Sequence, residues 1–438
     1  MKQIPIRLPF ESIEIKLSAK PLFTDKKDPH STGMRTPSMF RSVSLSVSIA
    51  LLMALSIPGS PPAFSGGKEI ISYYPSWDFM GRNGLVNPQT IPYEKLTIIN
   101  YAFASPQKDG SLVPKKPEAD SRLLRDSVDP ATGRTIPGSS MIGMAHSRGV
   151  KVMLSIGGWE DTSEFPQIAA NPLKRARFAG ACADRIRTFG FDGIDIDWEY
   201  PGYVPHNGSP ADRENFTVFL RAIRDTLDAL GAKTGKRILL SAALASTAFA
   251  VANMEVEKVA AILDFLNIMT YDFFGVWDPL SNHNSPLYAP AEGDSTLNVD
   301  HAFRLYRDRY GVPAEKINLG VPFYGHGFAG CSGLHQRHAG GDTTVCFEPG
   351  NITYVEIMKR MNLFQRHWDD RAKVPYLVHA SGNLFISYDD EESVALKARY
   401  VMTAGARGLI IWEMTDDYFE DGRTPLLDAI LRVFRGGR

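Results

Sequence analysis

Short apolar runs alternate with segments of helical periodicity along most of the chain, from residue 68 onward. Each run is rich in Ile, Val, Leu or aromatic residues, which is typical of strands covered on both faces. Eight such runs predict strands at residues 69–74, 96–104, 150–156, 191–199, 238–245, 265–271, 317–323 and 408–414. Eight strands that alternate with helices over about 370 residues indicate an α/β fold, a (β/α)8 TIM barrel.

The clearest intervening helix follows the fourth run. Residues 209–230 carry an apolar stripe at helical spacing. Ser209, Pro210 and Asp212 predict a capped first turn with a capping box. Two further helices are expected, at residues 391–403 and 425–434.

The segment between the seventh and eighth runs is too long for one helix and two loops. About 85 residues separate these runs, and many of them form glycine-rich turns or short strand-like pieces. We therefore predict a small inserted α+β subdomain at residues 326–388, on the face of the barrel where the strands end. The barrel itself would occupy residues 68–325 and 389–438.

Two of the three cysteines, Cys331 and Cys346, lie close together within the predicted insertion. Such a pair can close a small disulfide loop in an exported protein. We predict that these two residues pair, whereas Cys182, on the apolar face of a helix, stays a buried thiol. A mechanism based on a reactive cysteine has no support in the sequence.

The first 67 residues differ from the rest of the chain in composition. A basic start, an apolar stretch at residues 42–57 and a small-x-small end near Ser65 are typical of a secretory signal peptide. Cleavage there would give a secreted protein, extracellular or periplasmic, with no membrane contact after cleavage. A membrane anchor that is not cleaved is the alternative, although the stretch is short and serine-rich for a span. A later start, at Met34 or Met39, would keep the same signal.

The formal net charge of −1 provides no general field for nucleic acid or an acidic membrane. Hydrophobic residues make up 44% of the chain and charged residues 22%, which is ordinary for a soluble globular protein. Phosphate-binding glycine loops and zinc-type Cys/His spacings are not found in the sequence. We therefore expect an uncharged substrate, no nucleic acid partner, no metal or other cofactor, and a monomer.

Residues 191–202 form the most informative stretch, Phe-Asp-Gly-Ile-Asp-Ile-Asp-Trp-Glu-Tyr-Pro-Gly. Asp195, Asp197 and Glu199 are two residues apart, so a strand would place their carboxylates on one face, roughly 7 Å apart. Packing does not require three such acids, because they repel each other and are costly to bury. The arrangement therefore indicates acid–base chemistry, and a solvated acidic edge strand is the less favoured interpretation.

In a barrel of this kind the active site forms where the strands end and the βα loops begin. Aromatic residues, acids and glycines cluster at these strand ends, with one serine and one methionine among them. They are Tyr73, Trp77, Phe103, Ser155, Gly157, Gly158, Trp159, Tyr200, Met269, Tyr271, Asp272, Trp277, Tyr324, Trp412 and Glu413. Aromatic faces with a few polar anchors suit the apolar faces of sugar rings, so we expect a carbohydrate site.

Several motifs, in order along the chain, resemble those of glycoside hydrolase family 18, the chitinases. Residues 192–199 resemble the family signature, and residues 155–158 resemble its third-strand motif. Residues 269–272 resemble the sixth-strand motif, and Trp412 resembles the eighth-strand tryptophan. Residues 322–325 resemble the stretch that opens the insertion domain of the family.

The resemblance covers residues 68–438 and implies hydrolysis of chitin and chito-oligosaccharides by a substrate-assisted, retaining mechanism. Glu199 would be the general acid for the glycosidic oxygen, and the N-acetyl oxygen of the substrate would be the nucleophile. Asp197 would orient the acetamido group and stabilise the cationic intermediate, sharing a proton with Asp195. Asp192 would have a structural role.

The resemblance also implies roles for residues around the acids. Tyr271 would hydrogen-bond the acetamido carbonyl group, and Trp412 would form the floor beneath the sugar. Tyr73, Ser155 and Asp272 would support the acids or contact the substrate. The remaining aromatic and glycine positions at the strand ends would shape the substrate cleft.

Two residues depart from the family pattern, because Phe274 stands where many relatives carry His and His326 stands where Arg is common. These departures put the preferred chain length in doubt but not the reaction. Three other functions stay open: an N-acetylglucosaminidase on another glycan such as an N-glycan core or peptidoglycan, a non-catalytic chitin-binding lectin, and a metal-dependent hydrolase. The acid Glu199 argues against the lectin, and the predicted insertion favours linear chitin chains.

Overall fold

The computed structural model describes residues 67–346 and 348–436. These residues form fourteen strands: β1 Glu69–Pro75, β2 Ile98–Pro106, β3 Leu112–Pro114, β4 Lys151–Gly157, β5 Gly193–Asp197, β6 Leu239–Leu244, β7 Phe265–Ile268, β8 Ile317–Pro322, β9 Tyr324–Ala329, β10 Asn351–Thr353, β11 Phe364–Asp369, β12 Val374–His379, β13 Leu384–Ser387 and β14 Gly408–Trp412. The predicted signal peptide lies outside the described residues. Within them, no helix is both long and apolar enough to cross a membrane.

The same residues form twelve α-helices, which mostly connect or cover the strands. They are α1 Ser76–Gly81, α2 Pro117–Leu123, α3 Met141–His146, α4 Phe165–Ala170, α5 Pro172–Phe189, α6 Asp212–Thr234, α7 Ala248–Val251, α8 Val256–Ile262, α9 Val299–Arg304, α10 Tyr354–Lys359, α11 Glu391–Ala404 and α12 Pro425–Phe434. The last two lie where the sequence predicts helices.

Eight parallel strands close into a barrel in the order β1-β2-β4-β5-β6-β7-β8-β14, and β14 pairs with β1. Each strand falls within or beside one of the eight predicted runs, so the predicted TIM barrel is confirmed. One difference bears on the site, because β7 ends at Ile268 and Tyr271, predicted in the sixth strand, lies in the following loop. β3 adds a short antiparallel edge to β2.

The strand that carries the acids separates two apolar layers. Ile194, Ile196 and Trp198 belong to the main core between the barrel and its helices. Asp195 and Asp197 alternate with them and therefore point into the barrel. The inner layer is small and rich in aromatic residues: Ile71, Tyr73, Ile98, Ala102, Phe103, Met153, Ala243, Phe265, Met269, Tyr271, Tyr324 and Ile410.

The helix after β5 begins later than predicted. α6 starts at Asp212 and has no side-chain cap, so the prediction that the Ser209 side chain caps the helix is wrong. The Asp212 carboxylate does accept the Ser209 backbone N–H at 2.9 Å, which is the half of the predicted capping box that Asp212 contributes. It also accepts the Gly202 backbone N–H at 3.0 Å. This buried carboxylate thus fastens the loop that follows Glu199.

A second sheet, which is antiparallel, lies in the chain between β8 and β14. Its order is β10-β9-β13-β12-β11, and its strands span the chain from Tyr324 to Ser387. α10 follows β10 within the same segment. The segment predicted as an α+β insertion, residues 326–388, contains this sheet except for the first two residues of β9.

All three cysteines are free thiols, so the predicted disulfide between Cys331 and Cys346 is wrong. Cys331 donates from Sγ to the Phe328 carbonyl at 3.5 Å, whereas Cys346 belongs to the main core. Burial raises the thiol pKa of Cys331, and burial together with Asp342 raises that of Cys346 to about 12. Disulfide chemistry requires a thiolate, which neither residue readily forms. Cys182 is fully buried in α5, as predicted.

Candidate active site

Asp195 lies at the base of the candidate site, fully buried inside the barrel. Its carboxylate accepts hydrogen bonds from side chains on four other barrel strands: Tyr73 Oη at 2.8 Å, Ser155 Oγ at 2.9 Å, Ser241 Oγ at 2.5 Å and Asn267 Nδ2 at 3.1 Å. The strand register sets Ser155 and Ser241 on either side of Asp195. Burial raises the pKa of Asp195, and the four hydrogen bonds oppose that shift. Asp195 is therefore held firmly by the barrel itself.

Asp197 stands further along the same wall of the barrel and is only 4% exposed. Its Oδ1 atom has no hydrogen-bond partner among the described residues. Its pKa is raised well above the ordinary value, mainly by burial and then by the charges of Glu199 and Asp195. A buried carboxyl oxygen without a partner is costly unless it is protonated or meets a donor from a ligand. Asp197 is thus the acid best suited to contact a bound molecule.

Glu199 lies beyond the end of β5, at the mouth of the barrel. Burial is the main cause that raises its pKa to about 7, and the Asp272 charge adds to the effect, while hydrogen bonds from Tyr200 and the Trp159 backbone oppose it. An acid with a pKa near neutrality can serve as a proton donor and then as an acceptor. The three predicted acids thus follow one another from the barrel interior to its mouth.

Aromatic rings form one wall beside the acids. Trp412, at the end of β14, stacks on Phe103 with ring centroids 5.7 Å apart. Its ring also lies 5.4 Å from that of Tyr73 and 6.5 Å from that of Trp77. Flat aromatic surfaces of this kind suit the apolar face of a sugar ring.

Two glycines let the aromatic wall and the acid-bearing strand come close together. Gly157 and Gly158 have φ angles of 111° and 81°, in the region that favours glycine. A Cβ atom at Gly157 would lie 2.2 Å from the Asp197 carbonyl oxygen, and one at Gly158 would lie 2.6 Å from the Phe103 ring. Any larger residue at either position would therefore push the two walls apart.

The residues after β7 and β8 form the opposite wall. Tyr271 is buried, and its ring lies edge-on to that of Tyr324, with centroids 6.3 Å apart. The pKa of Tyr271 is raised, mainly by burial and then by the charge of Asp197. Its hydroxyl group therefore keeps its proton and can donate a hydrogen bond. Asp272 accepts hydrogen bonds from Tyr324 Oη at 2.6 Å and His326 Nε2 at 2.8 Å.

Two tryptophans at the rim are about half exposed, Trp159 at 50% and Trp277 at 51%. Trp159 packs against His206 and Tyr203, and Trp277 packs edge-on against His326. Exposed aromatic rings next to a polar cleft are available to stack on a ligand. Both predicted tryptophans are therefore placed at the edge of the cleft.

Two candidate residues do not contribute polar groups to the cleft. Asp192 lies at the start of β5, at the opposite end of the strand from Glu199. Its carboxylate accepts the Val152 backbone N–H and pairs with His146 Nε2, both at 2.8 Å, so it connects α3, β4 and β5. Met269 is buried in the inner layer of the barrel and contributes packing.

Four residues that contact the acids were not predicted from the sequence. Ser241 and Asn267 donate to the innermost acid, while Thr162 and His206 hydrogen-bond the backbone of the outermost. A polar residue at an inward-facing position of an otherwise apolar strand is a signal that could have identified Ser241 and Asn267. Thr162 and His206 belong to two short 3-10 helices, Thr162–Glu164 and Val204–His206, which the sequence pattern does not mark.

Acids inside a closed barrel, beneath a wall of aromatic rings, define a barrel protein with a site suited to carbohydrate. The family model for glycosyl hydrolases family 18 matches residues 69–417, which is most of the chain. The chain therefore belongs to glycosyl hydrolase family 18.

Relatives in the family are described as chitinases or as related enzymes. Chitinase A1 of Niallia circulans is 36% identical over 438 aligned residues, which cover 89% of this chain and 62% of that protein. Chitinase ChiA74 from Bacillus thuringiensis has a TM-score of 0.75 and 32% identity, covering 85% of this chain and 70% of its own. A family 18 N-acetylglucosaminidase from Paenibacillus barengoltzii has a TM-score of 0.69 and 29% identity, covering 83% of this chain and 99% of its own. The chain thus spans less than two thirds of Chitinase A1.

Proposed function

We propose that the protein hydrolyses β-1,4-linked N-acetylglucosamine polymers, chitin and chito-oligosaccharides, with retention of the anomeric configuration. The observation that carries the proposal is the buried Oδ1 atom of Asp197, which has no partner among the described residues and lies between two other acids. The N–H group of a substrate acetamido group would supply the missing donor. Membership of family 18 and the chitinase names of the relatives support the same substrate.

The proposed reaction has two steps. In the first, the protonated carboxyl group of Glu199 donates to the glycosidic oxygen while the bond between that oxygen and the anomeric carbon breaks. The acetamido carbonyl oxygen attacks the same carbon and forms a cyclic oxazolinium ion, whose positive charge Asp197 stabilises. In the second step, water attacks the anomeric carbon and opens the ring, and the Glu199 carboxylate takes a proton from that water.

The surrounding residues support this scheme through their geometry. Tyr271, which keeps its proton, would donate to the acetamido carbonyl group and orient it for attack. Trp412 would lie beneath the sugar ring as its floor. The four donors on Asp195 hold it in place, where it can share a proton with Asp197.

The stereochemistry of the first product tests the mechanism. A soluble oligomer of N-acetylglucosamine is mixed with the enzyme, and 1H NMR follows the anomeric signals before mutarotation. We expect the β anomer to form first, and initial formation of the α anomer would contradict the mechanism. A fully deacetylated oligomer lacks the nucleophile and should not be cleaved.

A second candidate is an N-acetylglucosaminidase that acts on chain ends or on another glycan. The likeness to the Paenibacillus barengoltzii enzyme favours it. Product analysis distinguishes the two, because chain-end removal of single sugars gives only the monomer, whereas internal cleavage gives mixed short oligomers. Binding of oligomers without any turnover would instead indicate a lectin.

Metal dependence has a direct test. Within residues 67–346 and 348–436, no group of three or more His, Cys, Asp or Glu side chains is arranged to hold a metal ion. We expect turnover to be unchanged after exhaustive dialysis against EDTA. Loss of activity that zinc or magnesium restores would show that the carboxylates act as ligands.

We also infer that the mature protein is exported and acts as a monomer. The apolar stretch at residues 42–57 and the small residues that follow it support export. N-terminal sequencing of protein recovered from outside the cytoplasm should place the new N-terminus near Ser65. Light scattering should give the mass of one chain, and a mass of two chains would contradict the inference that the protein is a monomer.

A further inference from the structure

The backbone of Glu199 is fixed by side chains rather than by the strand ladder. β5 ends at Asp197, so Glu199 lies outside the regular sheet. Its backbone N–H donates to Thr162 Oγ1 at 2.8 Å, and its carbonyl oxygen accepts from His206 Nδ1 at 2.7 Å. Thr162 is fully buried, and His206 is partly buried. These two hydrogen bonds act on opposite sides of the residue and limit where its carboxyl group can point.

The imidazole ring of His206 is itself held in one orientation. It packs edge-on against the ring of Trp159, with centroids 4.5 Å apart, and against that of Tyr203 at 5.1 Å. Trp159 also hydrogen-bonds the Glu199 carboxyl group through its backbone N–H. A carbonyl oxygen has no proton to give, so Nδ1 of His206 must carry the proton in this contact.

We propose that His206 is a positioning residue for the catalytic acid, acting through its Nδ1–H hydrogen bond to the Glu199 carbonyl oxygen. Together with Thr162 it holds the carboxyl group where the glycosidic oxygen would bind. The inference rests on the proposed function, because it takes Glu199 as the proton donor. His206 itself transfers no proton. Displacement of a catalytic group by about 1 Å can cost on the order of 100-fold in rate, which makes such positioning important.

Two substitutions separate the hydrogen bond from the packing. His206→Phe keeps an aromatic ring beside Trp159 but removes the donor. His206→Asn loses the ring but can place an amide N–H where Nδ1 stood, because both nitrogens are bonded to Cγ. On N-acetylglucosamine oligomers, His206→Phe should lower kcat by about 10- to 100-fold and change KM by less than about threefold. His206→Asn should recover most of that loss.

A second substrate distinguishes a misplaced acid from a general disturbance of the cleft. An oligosaccharide with a dinitrophenolate leaving group needs little protonation as its bond breaks. His206→Phe should therefore form product from it at close to the wild-type rate. Equal losses on both substrates, or an unchanged kcat on natural oligomers, would overturn the proposal. Thermal unfolding of both variants checks that the fold is kept.

The protonation state of the imidazole gives a readout that does not depend on turnover. 15N NMR of neutral His206 should show the proton on Nδ1, and a proton on Nε2 would overturn the inference. Comparison with His206→Asn identifies the signal among the ten histidines of the chain. A wild-type protein that cleaves no N-acetylglucosamine oligomer would contradict the proposed function, whereas the NMR result tests the His206 contact separately.

Discussion

Two groups of three acids, one that runs from the barrel interior to its mouth and one in the segments after β1 and β14, use their oxygens differently. The cleft trio consists of Asp195, Asp197 and Glu199. The seam trio, in the segments after β1 and β14 where the barrel closes, consists of Asp78, Glu413 and Asp416. Burial is the main cause that raises the pKa of Glu199 to about 7, and it raises that of Asp416 to about 7 as well. The pKa values alone therefore do not distinguish the two groups.

Carboxyl oxygens of the seam trio form hydrogen bonds within the segments that carry these acids. Glu413 accepts the backbone N–H of Thr415 at 2.9 Å, and Thr415 Oγ1 lies 2.7 Å from Glu413 and 2.8 Å from Asp78. A hydroxyl group has one proton, so the second of these contacts requires a proton on a carboxyl group. The Arg82 guanidinium donates to the carbonyl oxygens of Thr415 and Tyr418. These contacts fasten the loop after β14 to the segment after β1.

The cleft trio differs because one of its oxygens, Asp197 Oδ1, has no partner among the described residues. It also differs in its neighbours, because the rings of Trp412 and Tyr271 flank the cleft. A raised pKa therefore reports burial, whereas an unpartnered oxygen beside aromatic rings indicates a ligand site. The comparison therefore distinguishes acids with an oxygen free to bind a ligand from acids whose oxygens hydrogen-bond within the fold.

The largest expected effect comes from removing the proposed proton donor. Glu199→Gln keeps size and hydrogen bonding but cannot deliver a proton, so kcat on natural oligomers should fall by about 10²–10⁴. Asp416→Asn is the matched control, because its pKa is raised to the same value. It should change kcat by less than about threefold. Comparable losses in both variants would show that the seam trio takes part in the reaction.

Asp197→Asn should be nearly as severe, with a loss on the order of 10²–10³, because it removes negative charge that faces a developing cation. It should differ from Glu199→Gln in how it responds to the substrate. A good leaving group needs no proton donor, so it should restore the first step in Glu199→Gln and leave Asp197→Asn impaired. Stopped-flow release of the leaving group measures that step. If both variants respond alike, the roles of the two acids are misassigned.

The strands and the cleft trio could be predicted because their signals are local. Each barrel strand is a short apolar run, and the period of two in β5 places the carboxylates of Asp195 and Asp197 on one wall. The donors to Asp195 could not be predicted in the same way. Ser241 and Asn267 come 46 and 72 residues later, and only closure of the barrel brings them to the acid.

The other differences also arise from geometry that sequence spacing does not fix. The predicted disulfide was wrong because closeness in the chain does not set the direction of two Cβ atoms, which bridging requires. The predicted side-chain cap at Ser209 was wrong because α6 begins only at Asp212, whose carboxylate still accepts the Ser209 backbone N–H as in a capping box. His206 and Thr162 contact Glu199 from two separate 3-10 helices of three residues each, which are too short for a periodic pattern to reveal them.

The pH dependence of catalysis gives an intermediate effect. The protonated form of Glu199 is the proton donor. Burial is the main cause that raises its pKa to about 7. Its protonated fraction therefore falls as the pH rises through 7, and kcat/KM should fall by up to about tenfold per pH unit above that point. Asp416→Asn should keep this alkaline limb unchanged in a pH–rate profile. A limb that moves in this variant would connect the seam trio to catalysis.

The smallest effect concerns stability. Burial raises the pKa of Asp416 from 3.8 to about 7, so the folded protein binds this proton more tightly than the unfolded chain does. The stabilising contribution is therefore fully present below about pH 4 and is lost as the pH rises through about 7. Asp416→Asn cannot titrate, so its urea midpoint should decrease less between pH 4 and pH 8 than that of the wild type. Equal decreases would show that Asp416 titrates alike in the folded and unfolded states, and the seam trio would then differ from the cleft trio in its pKa as well as in its contacts.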